Sequence, residues 1–503
     1  MKRIAILVVH GVGEQTQFEH LEEIASNLYK ALGKNPQRRA HVQVRRGDQV
    51  PRHSPTESWR EAPALLRWWC QPSNDWVEAR FREVYWADLD MPMAWTGWLR
   101  LIGWALGVSG VKLFDASRVW AGRRDYMCLP KELTRREMIL VRLQLFGISL
   151  LFFFMLMTVG LLYGLLTRFS FRAQWLKTIW GTIYNYLGDV KLYQDWFVRE
   201  DTGLETIGEK SRVAIRRRMV RALVRTAAEV EAGTLDGYYV FAHSLGTVAA
   251  FNSLMETDLT LPNYLTEEEW NGLPTSLKRE ATHNAPQIQM PRRPPWLKPR
   301  DAINRARLFA GLRGFLTMGS PLDKFAALWP VIVPINRESI PGQVPWVNVA
   351  DSQDIVAARL DLFRSCDQTP GIGGLHLSNV EWADQRSLFS AHISYWKVGE
   401  RHDRLIDRLI PWLEGGQLTA PADSFNLVLA RVIYMVSLTF LGGLLLWIAA
   451  LLAWFVLGQL THVSTWPVWD WMIVLLGTGI VVVAVCSVSR HLWERRKFGS
   501  QEK

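Results

Sequence analysis

A serine at the centre of a five-residue pattern suggests nucleophilic catalysis. Ser244 lies in the segment AHSLG (242–246), which follows the apolar run YYVFA and precedes a helical pattern at 247–255. A strand that turns sharply into a helix exposes such a hydroxyl at the edge of a sheet, provided that the residues two before and two after it are small. Gly246 meets this requirement, and Ala242 meets it at the cost of one methyl group. The alternative is a serine that only caps the helix.

A histidine and a glycine follow the first apolar run of the chain. Ile4–Val9 is short and continuously apolar, which predicts a strand buried on both faces, and His10 and Gly11 come directly after it. Gly11 and Gly13 would also suit a phosphate-binding loop, but neither GxGxxG nor GxxxxGK is completed here. The pair therefore marks either a turn that serves the serine or a purely structural turn.

Together these motifs resemble those of the α/β-hydrolase superfamily, in particular its lipase-like serine hydrolases. In that family one oxyanion N–H comes from the loop after the His-Gly strand and the other from the residue after the nucleophile. The resemblance implies Val12 and Leu245 as these donors. Supporting roles fall to His10, Gly11, Ala242, His243 and Gly246. The matching segments are about 1–30, 80–90, 185–255, 310–325 and 345–400.

The family order of serine, acid and histidine places the acid downstream of Ser244. The segment NVADSQDIVA (348–357) resembles the family pattern Asn-x-x-Asp-x-x-Asp-x-Val, in which Asp354 takes the catalytic position. Asp351 and Asp323 stay open as alternatives. A capping or surface carboxylate is the other interpretation of each.

The resemblance also indicates the base. His392 lies near the end of the α/β region, and its context His-x-x-Tyr-Trp resembles the start of the family's final helix. His376 and His402 are the alternatives, and each histidine could instead be structural. In a triad, His392 would take the proton of Ser244 while Asp354 holds the imidazole in the required tautomer.

Strand and helix patterns alternate around these residues, which predicts a parallel α/β sheet. The predicted strands after the first are 81–89, 238–242, 313–318 and 345–350. The predicted helices are 18–32, 205–230, 247–255, 385–397 and 400–413.

Long uncharged runs interrupt this pattern. They lie at 143–167, 432–457 and 471–489, and about 20 apolar residues span a bilayer. The net charge of +10 lies largely in their basic flanks, which are typical of cytoplasmic ends. It indicates a lipid bilayer as partner and not nucleic acid, for which the sequence has no recognition motif.

The expected fold class is therefore α/β: an α/β-hydrolase-type, mostly parallel sheet with flanking helices, plus membrane-embedded helices in an insert and a C-terminal hairpin. The expected segments are 1–91 and 182–415 as the hydrolase domain, 92–181 as a membrane-associated insert, 425–490 as a transmembrane hairpin and 491–503 as a basic tail. Within the domain, 256–300 is either a lid or a loop. The insert is expected to enter the cytoplasmic leaflet as an in-plane or re-entrant helical hairpin, with two crossings as the alternative. The positive-inside rule places the domain on the cytoplasmic side of a bacterial inner membrane.

The sequence thus predicts a membrane-anchored serine hydrolase that cleaves lipid esters, as a phospholipase or an acylglycerol lipase. A thioesterase, a deacylase of lipidated proteins, a toxic or defence-type lipase and a non-catalytic scaffold are the alternatives. No metal or other cofactor is expected, because the four cysteines have no metal-ligand spacing.

Overall fold

The computed structural model divides the chain into two compact units. One comprises Met1–Met91 and Asp189–Leu427, and the other Pro92–Gly188 and Val428–Lys503. All the residues that the structure describes lie in the first unit. They are 1–11, 18–44, 60–70, 72–89, 190–191, 193, 209–286, 291–329, 332–333, 340, 344–351, 354, 356–357, 359–360, 363, 375–382, 391–396 and 405–418.

An eight-stranded mixed sheet forms the centre of the first unit. Its strands are β1 (Lys2–Val9), β2 (His41–Val44), β3 (Arg60–Cys70), β4 (Asp75–Val84), β5 (Gly237–His243), β8 (Leu312–Met318), β9 (Val344–Asp351) and β10 (Leu375–Trp382). Their order is β10-β9-β8-β5-β1-β4-β3-β2. The strands from β10 to β4 are parallel, whereas β3 runs antiparallel to both of its neighbours. The parallel strands therefore all end at one edge of the sheet.

Helices flank both faces of this sheet. They are α1 (Glu19–Gly33), α2 (Ser211–Glu231), α3 (Gly246–Leu254), α4 (Glu267–Gly272), α5 (Arg305–Ala310), α6 (Leu322–Leu328) and α7 (Leu405–Leu413). On one face, α1 and α7 share an apolar cluster with Ile4, Ile6 and Val8 of β1. On the other, α2 and α3 contact β1 and β5. Because both faces are covered, β1 is apolar without alternation.

The expectation that membrane-embedded helices belong to this fold is wrong. No helix in the described part of the chain is both long enough and apolar enough to cross a membrane. With 21 residues, α2 has the length, but a bilayer excludes its charge. Its buried arginines pair with carboxylates: Arg216 with Glu256, Arg218 with Asp88 and Arg221 with Glu269. The insert at 92–181, the hairpin at 425–490 and the tail at 491–503 lie outside the described residues, and the cellular location stays a prediction.

Most of the segment 256–300 is described, and it packs against the layer formed by α2. It contains α4 and the short strand β6 (Lys278–Glu280), which pairs antiparallel with β7 (Asp301–Ile303). Arg221 Nε of α2 donates to Glu269 Oε1 over 2.6 Å, and Thr266 forms a capping box with Glu269 at the start of α4. The segment is thus fastened to the helical layer, and its role as a lid stays a prediction.

Candidate active site

Ser244 lies in a strained turn between β5 and α3. Its φ of 52° belongs to the left-handed region, which costs a residue with a side chain about 1–2 kcal/mol. The backbone N–H of Ser244 donates to the carbonyl oxygen of Met318 over 2.9 Å, at the end of the neighbouring strand β8. The sharp strand-to-helix turn that the sequence predicts is therefore present, and it lies at the edge where the parallel strands end.

The small residues around Ser244 are required by close contacts. A Cβ atom on Gly246 would lie 2.3 Å from the carbonyl oxygen of His10, and one on Gly11 would lie 2.4 Å from Ser244 Cβ. Neither position accepts a side chain without a backbone shift. Ala242 is fully buried in β5, where its methyl group is accommodated. The loop after β1 and the turn at Ser244 are thus directly packed together.

His392 and Asp354 complete a hydrogen-bonded chain with this serine. His392 Nε2 lies 2.8 Å from Ser244 Oγ, and His392 Nδ1 lies 2.9 Å from Asp354 Oδ2. Because a carboxylate only accepts, the neutral ring carries its proton on Nδ1, and Nε2 accepts the serine proton. This is the arrangement of a Ser-His-Asp triad. The structure brings the three predicted residues together, and their catalytic role stays a prediction.

The electrostatic interaction with His392 and three hydrogen bonds keep Asp354 ionised. Burial alone would raise its pKa, but His392, the hydroxyl of Tyr395 and the backbone N–H of Val356 together lower the pKa of Asp354 to about 2. Tyr395 donates to Oδ2 over 2.8 Å, and Val356 donates to Oδ1 over 2.8 Å. Asp354 is therefore a fixed carboxylate at neutral pH.

The alternative acids occupy other positions. Asp351 is the last residue of β9, and its backbone N–H donates to Tyr395 Oη over 2.9 Å. Asp323 lies in the first turn of α6. The carboxylate that meets His392 Nδ1 is that of Asp354.

The alternative bases are not at this position either. His376 is the second residue of β10 and pairs with Pro345 of β9. Both strands run parallel to β5, so His376 lies near the edge of the sheet opposite to Ser244. His402 lies outside the described residues.

Of the two predicted oxyanion donors, the structure describes one. Leu245 is the N-cap residue of α3 and is almost fully buried. The start of a helix is partially positive, which favours a developing oxyanion nearby. Val12 lies outside the described residues.

His10 holds the loop after β1 and does not contact the reacting atoms. Its Nδ1 donates to the carbonyl oxygen of Gly11 over 2.9 Å, and its Nε2 accepts the backbone N–H of Trp86 over 3.0 Å. The ring also stacks on Trp86 at 4.8 Å. Burial lowers the pKa of His10 to about 4. A neutral His10 therefore fastens this loop to the chain that leaves β4.

His243, next to the serine, supports the base. Its Nε2 donates to the carbonyl oxygen of His392 over 2.7 Å, and the two ring centroids lie 4.8 Å apart. Burial lowers the pKa of His243 to about 3. A neutral His243 thus connects the turn at Ser244 to the turn that carries His392.

Sequence reasoning missed the contribution of Gly319. This residue has a φ of 59°, and a Cβ atom on it would lie 3.0 Å from Cε1 of His392 and 3.2 Å from Oδ2 of Asp354. The available signal was its position directly after the strand pattern 313–318. Gly319 leaves the space that the acid and the base occupy.

Comparisons with known proteins gave no match. No protein-family model, no curated protein and no solved structure matches the chain. Among the described residues, no group of three or more His, Cys, Asp or Glu side chains could hold a metal ion. The site is defined by its own geometry, which is that of a serine, a histidine and a carboxylate in hydrogen-bonded series.

Proposed function

We propose that this protein is a serine hydrolase of the α/β-hydrolase type that cleaves carboxylic esters through an acyl-enzyme. The observation that carries the proposal is the chain of contacts from Asp354 through His392 to Ser244, at 2.9 and 2.8 Å. Ser244, the last member of this series of hydrogen bonds, lies in a strained turn between a strand and a helix. This is the context that a nucleophilic serine requires.

Acylation begins with the attack of Ser244 Oγ on the carbonyl carbon of the ester. His392 Nε2 takes the hydroxyl proton as the new C–O bond forms, and the π electrons of the carbonyl move onto its oxygen. When the carbonyl re-forms, the bond to the alcohol breaks and the alcohol takes the proton from Nε2. A water molecule then repeats these steps on the acyl-enzyme, which releases the acid and restores Ser244.

Charge stabilisation accompanies both steps. Asp354 holds the Nδ1 proton of His392 and stabilises the imidazolium that forms during each attack. The backbone N–H of Leu245, with that of Val12, would donate to the oxyanion. Such donors stabilise a transition state by about 2.7–4 kcal/mol each.

Lipid esters, either phospholipids or acylglycerols, are the substrates that we expect first. Ile393 directly follows His392, and 60% of its surface is exposed, so an apolar side chain adjoins the base at the surface of the described structure. An apolar acyl group would cover it. A thioester would pass through the same acyl-enzyme, and its cleavage is one outcome of the substrate screen below.

Labelling with a fluorophosphonate probe tests the proposal directly. We expect the wild-type protein to react at Ser244, and Ser244→Ala to lose both labelling and ester hydrolysis, the latter by about five orders of magnitude or more. The matched control is Ser253→Ala in α3, the helix that follows Ser244, because within the described structure the Ser253 hydroxyl donates to the Ala249 carbonyl oxygen of its own helix. We expect this variant to label normally.

The same preparations separate the possible substrates. The rate of hydrolysis by the wild-type protein and by Ser244→Ala is measured for each candidate substrate: short and long p-nitrophenyl esters, a phospholipid, an acylglycerol and an acyl-thioester. Hydrolysis that survives in Ser244→Ala would overturn the mechanism. A wild-type protein that neither reacts with the probe nor cleaves any of these substrates would indicate a non-catalytic protein with this fold.

A further inference from the structure

The turn that carries His392 also carries a tyrosine to which the triad chemistry assigns no role. Tyr395 lies three residues after His392, and only 5% of its surface is exposed. Its Oη atom lies 2.8 Å from Asp354 Oδ2 and 2.9 Å from the backbone nitrogen of Asp351. Its ring meets that of His243 edge-on at 5.9 Å. Tyr395 therefore contacts the acid and a neighbour of the nucleophile.

The directions of these hydrogen bonds follow from the groups involved. The backbone N–H of Asp351 can only donate, so Oη is the acceptor in that bond. The single hydroxyl proton is then directed to Asp354 Oδ2. Burial, reinforced by the charges of Asp354 and Asp351, raises the pKa of Tyr395 well above its usual value. Tyr395 is therefore a permanent donor to the carboxylate at neutral pH.

The hydroxyl joins segments that reach the site separately. Asp351 ends β9, Asp354 lies in the loop that follows, and His392 comes after β10. On Asp354, Oδ2 accepts from His392 and Tyr395, while Oδ1 accepts from Val356. With both oxygens engaged, rotation of the carboxylate would break at least one of these bonds.

We propose that Tyr395 is a positioning residue for the triad, whose hydroxyl holds the Asp354 carboxylate in the orientation that meets His392 Nδ1. The inference rests on the proposed hydrolase function and extends it to a fourth side chain. A tyrosine that served folding alone would change the stability of the protein and leave its turnover number unaltered.

The test compares Tyr395→Phe with Trp396→Phe in the full-length protein, using the best ester from the substrate screen. Tyr395→Phe removes only the hydroxyl and keeps the buried ring. We expect kcat to fall about 10- to 100-fold, because small misplacements of catalytic groups have effects of this size. We expect KM to stay within about twofold, because the hydroxyl contacts the triad and not the substrate.

Trp396→Phe is the matched control. Trp396 is equally buried and stacks on Phe241 at 6.0 Å, and its indole N–H has no hydrogen-bond partner within the described structure. Like Tyr395→Phe, this substitution removes a buried polar group at the neighbouring position and keeps an aromatic side chain, although a smaller one, and we expect kcat to be retained. Turnover is expressed per Ser244 that the fluorophosphonate titrates, so a partly unfolded preparation still reports its folded fraction.

The outcomes separate this inference from the function on which it rests. A selective fall of kcat in Tyr395→Phe supports the positioning role. An active wild-type protein with equal kcat in Tyr395→Phe overturns the positioning role alone, as does an equal fall in both variants. A wild-type protein that neither labels nor cleaves esters overturns the hydrolase proposal and this inference with it.

Discussion

Residues in unusual backbone conformations meet at the candidate site. Ser244 has a φ of 52° and Gly319 a φ of 59°. Strained residues persist only where their surroundings determine the conformation, and they are concentrated at functional sites. At Ser244 the surroundings are the hydrogen bond to Met318, the close approach of Gly11 to Ser244, and that of Gly246 to His10. Strain and close packing therefore act together on the nucleophile.

Gly319→Ala should lower kcat of the folded protein as well as the free energy of unfolding. The substitution places a Cβ atom 3.0 Å from His392 Cε1 and 3.2 Å from Asp354 Oδ2, so the histidine and the carboxylate must each shift away from the new methyl group by a few tenths of an ångström. We expect kcat to fall by about 100-fold. The left-handed φ should also lower the free energy of unfolding by about 1–2 kcal/mol.

Gly233→Ala is the control for this prediction, because Gly233 has a φ of 70° and a Cβ atom added to it would meet nothing within 4 Å in the described part of the chain. The backbone cost is then similar and the clash with the base is absent. Urea unfolding and kcat per titrated serine are measured for both variants. Equal kcat values in the two variants would show that Gly319 does not matter to the triad.

The parts of the candidate site that depend on consecutive residues could be predicted from the sequence. The turn at Ser244 is encoded in five consecutive residues and the strand before them. His392 and Asp354 were predicted from the family order of serine, acid and histidine together with two short family patterns, and other acids and histidines stayed open as alternatives. The position of Gly319 against His392, and the bond from Tyr395 to Asp354, depend on segments that meet only in the folded sheet. No spacing along the sequence encodes such contacts.

Among the elements, the strands that precede the acid and the base, β9 and β10, are joined to each other and to β8 by polar side chains that are buried on β8 and β9 and half-buried on β10. Thr317 of β8, Asn348 of β9 and Asn379 of β10 lie opposite one another in the sheet. Thr317 Oγ1 donates to Asn348 Oδ1 over 3.0 Å, and Asn348 Nδ2 donates to Asn379 Oδ1 over 2.9 Å. In a largely apolar interior such bonds favour one register, because a slip would leave the polar groups unpaired.

Asn348→Ala should therefore destabilise the sheet. Asn348 is fully buried, and its removal leaves Thr317 and Asn379 each without one partner. We expect the free energy of unfolding to fall by about 2–3 kcal/mol. Ser378→Ala on β10, an exposed position, should change it by less than about 0.5 kcal/mol. Urea titration of both variants makes the comparison, and similar values for the two would argue against a stabilising role for these polar side chains.

Strands were predictable where apolar residues dominate them. The patterns at 4–9, 238–242, 313–318 and 345–350 correspond to β1, β5, β8 and β9. The sequence patterns do not predict β2, β3, β6, β7 or β10, and the strand expected at 81–89 lies at Asp75–Val84. Charged residues interrupt the apolar pattern of β4, although several of them are buried in the sheet. Glu78, for example, is only 2% exposed and is paired with Arg67 and Arg80. The periodicity of apolar residues cannot reveal a strand whose buried charge is neutralised by arginines on the same strand and on the neighbouring one.

For the molecule as a whole, three buried histidines link folding to pH. Burial lowers the pKa of His10 to about 4 and that of His243 to about 3, and it lowers the pKa of His20 well below the ordinary value. The ring of His20 stacks on that of His243 at 5.5 Å, and His243 lies next to His392. The neutral histidines are thus part of the packing behind the candidate site.

This arrangement fixes the sign of the pH dependence. In the unfolded chain these histidines bind protons near pH 6.5. In the folded protein His10 and His243 do so only at or below about pH 4, and the pKa of His20 is lowered in the same direction. Between these values the unfolded chain holds more protons, so the free energy of unfolding decreases as the pH falls. Each histidine contributes a slope of about 1.4 kcal/mol per pH unit. Above about pH 6.5 neither state binds these protons, so the free energy of unfolding keeps its full value. Below that pH, while the folded protein still excludes the protons, the three histidines together lower the free energy of unfolding by about 4 kcal/mol per pH unit.

Urea unfolding between pH 7.5 and 5 measures this slope, and His20→Phe tests its origin. Phenylalanine keeps an aromatic ring beside His243 and Trp396 but binds no proton. We expect the variant to lose about one third of the slope that the three histidines produce, which is the share of a single proton. His283→Gln replaces an exposed histidine, and its slope should match that of the wild-type protein. If His20→Phe keeps the full slope, the acid sensitivity does not come from this histidine, and His20 must take up a proton without unfolding the protein.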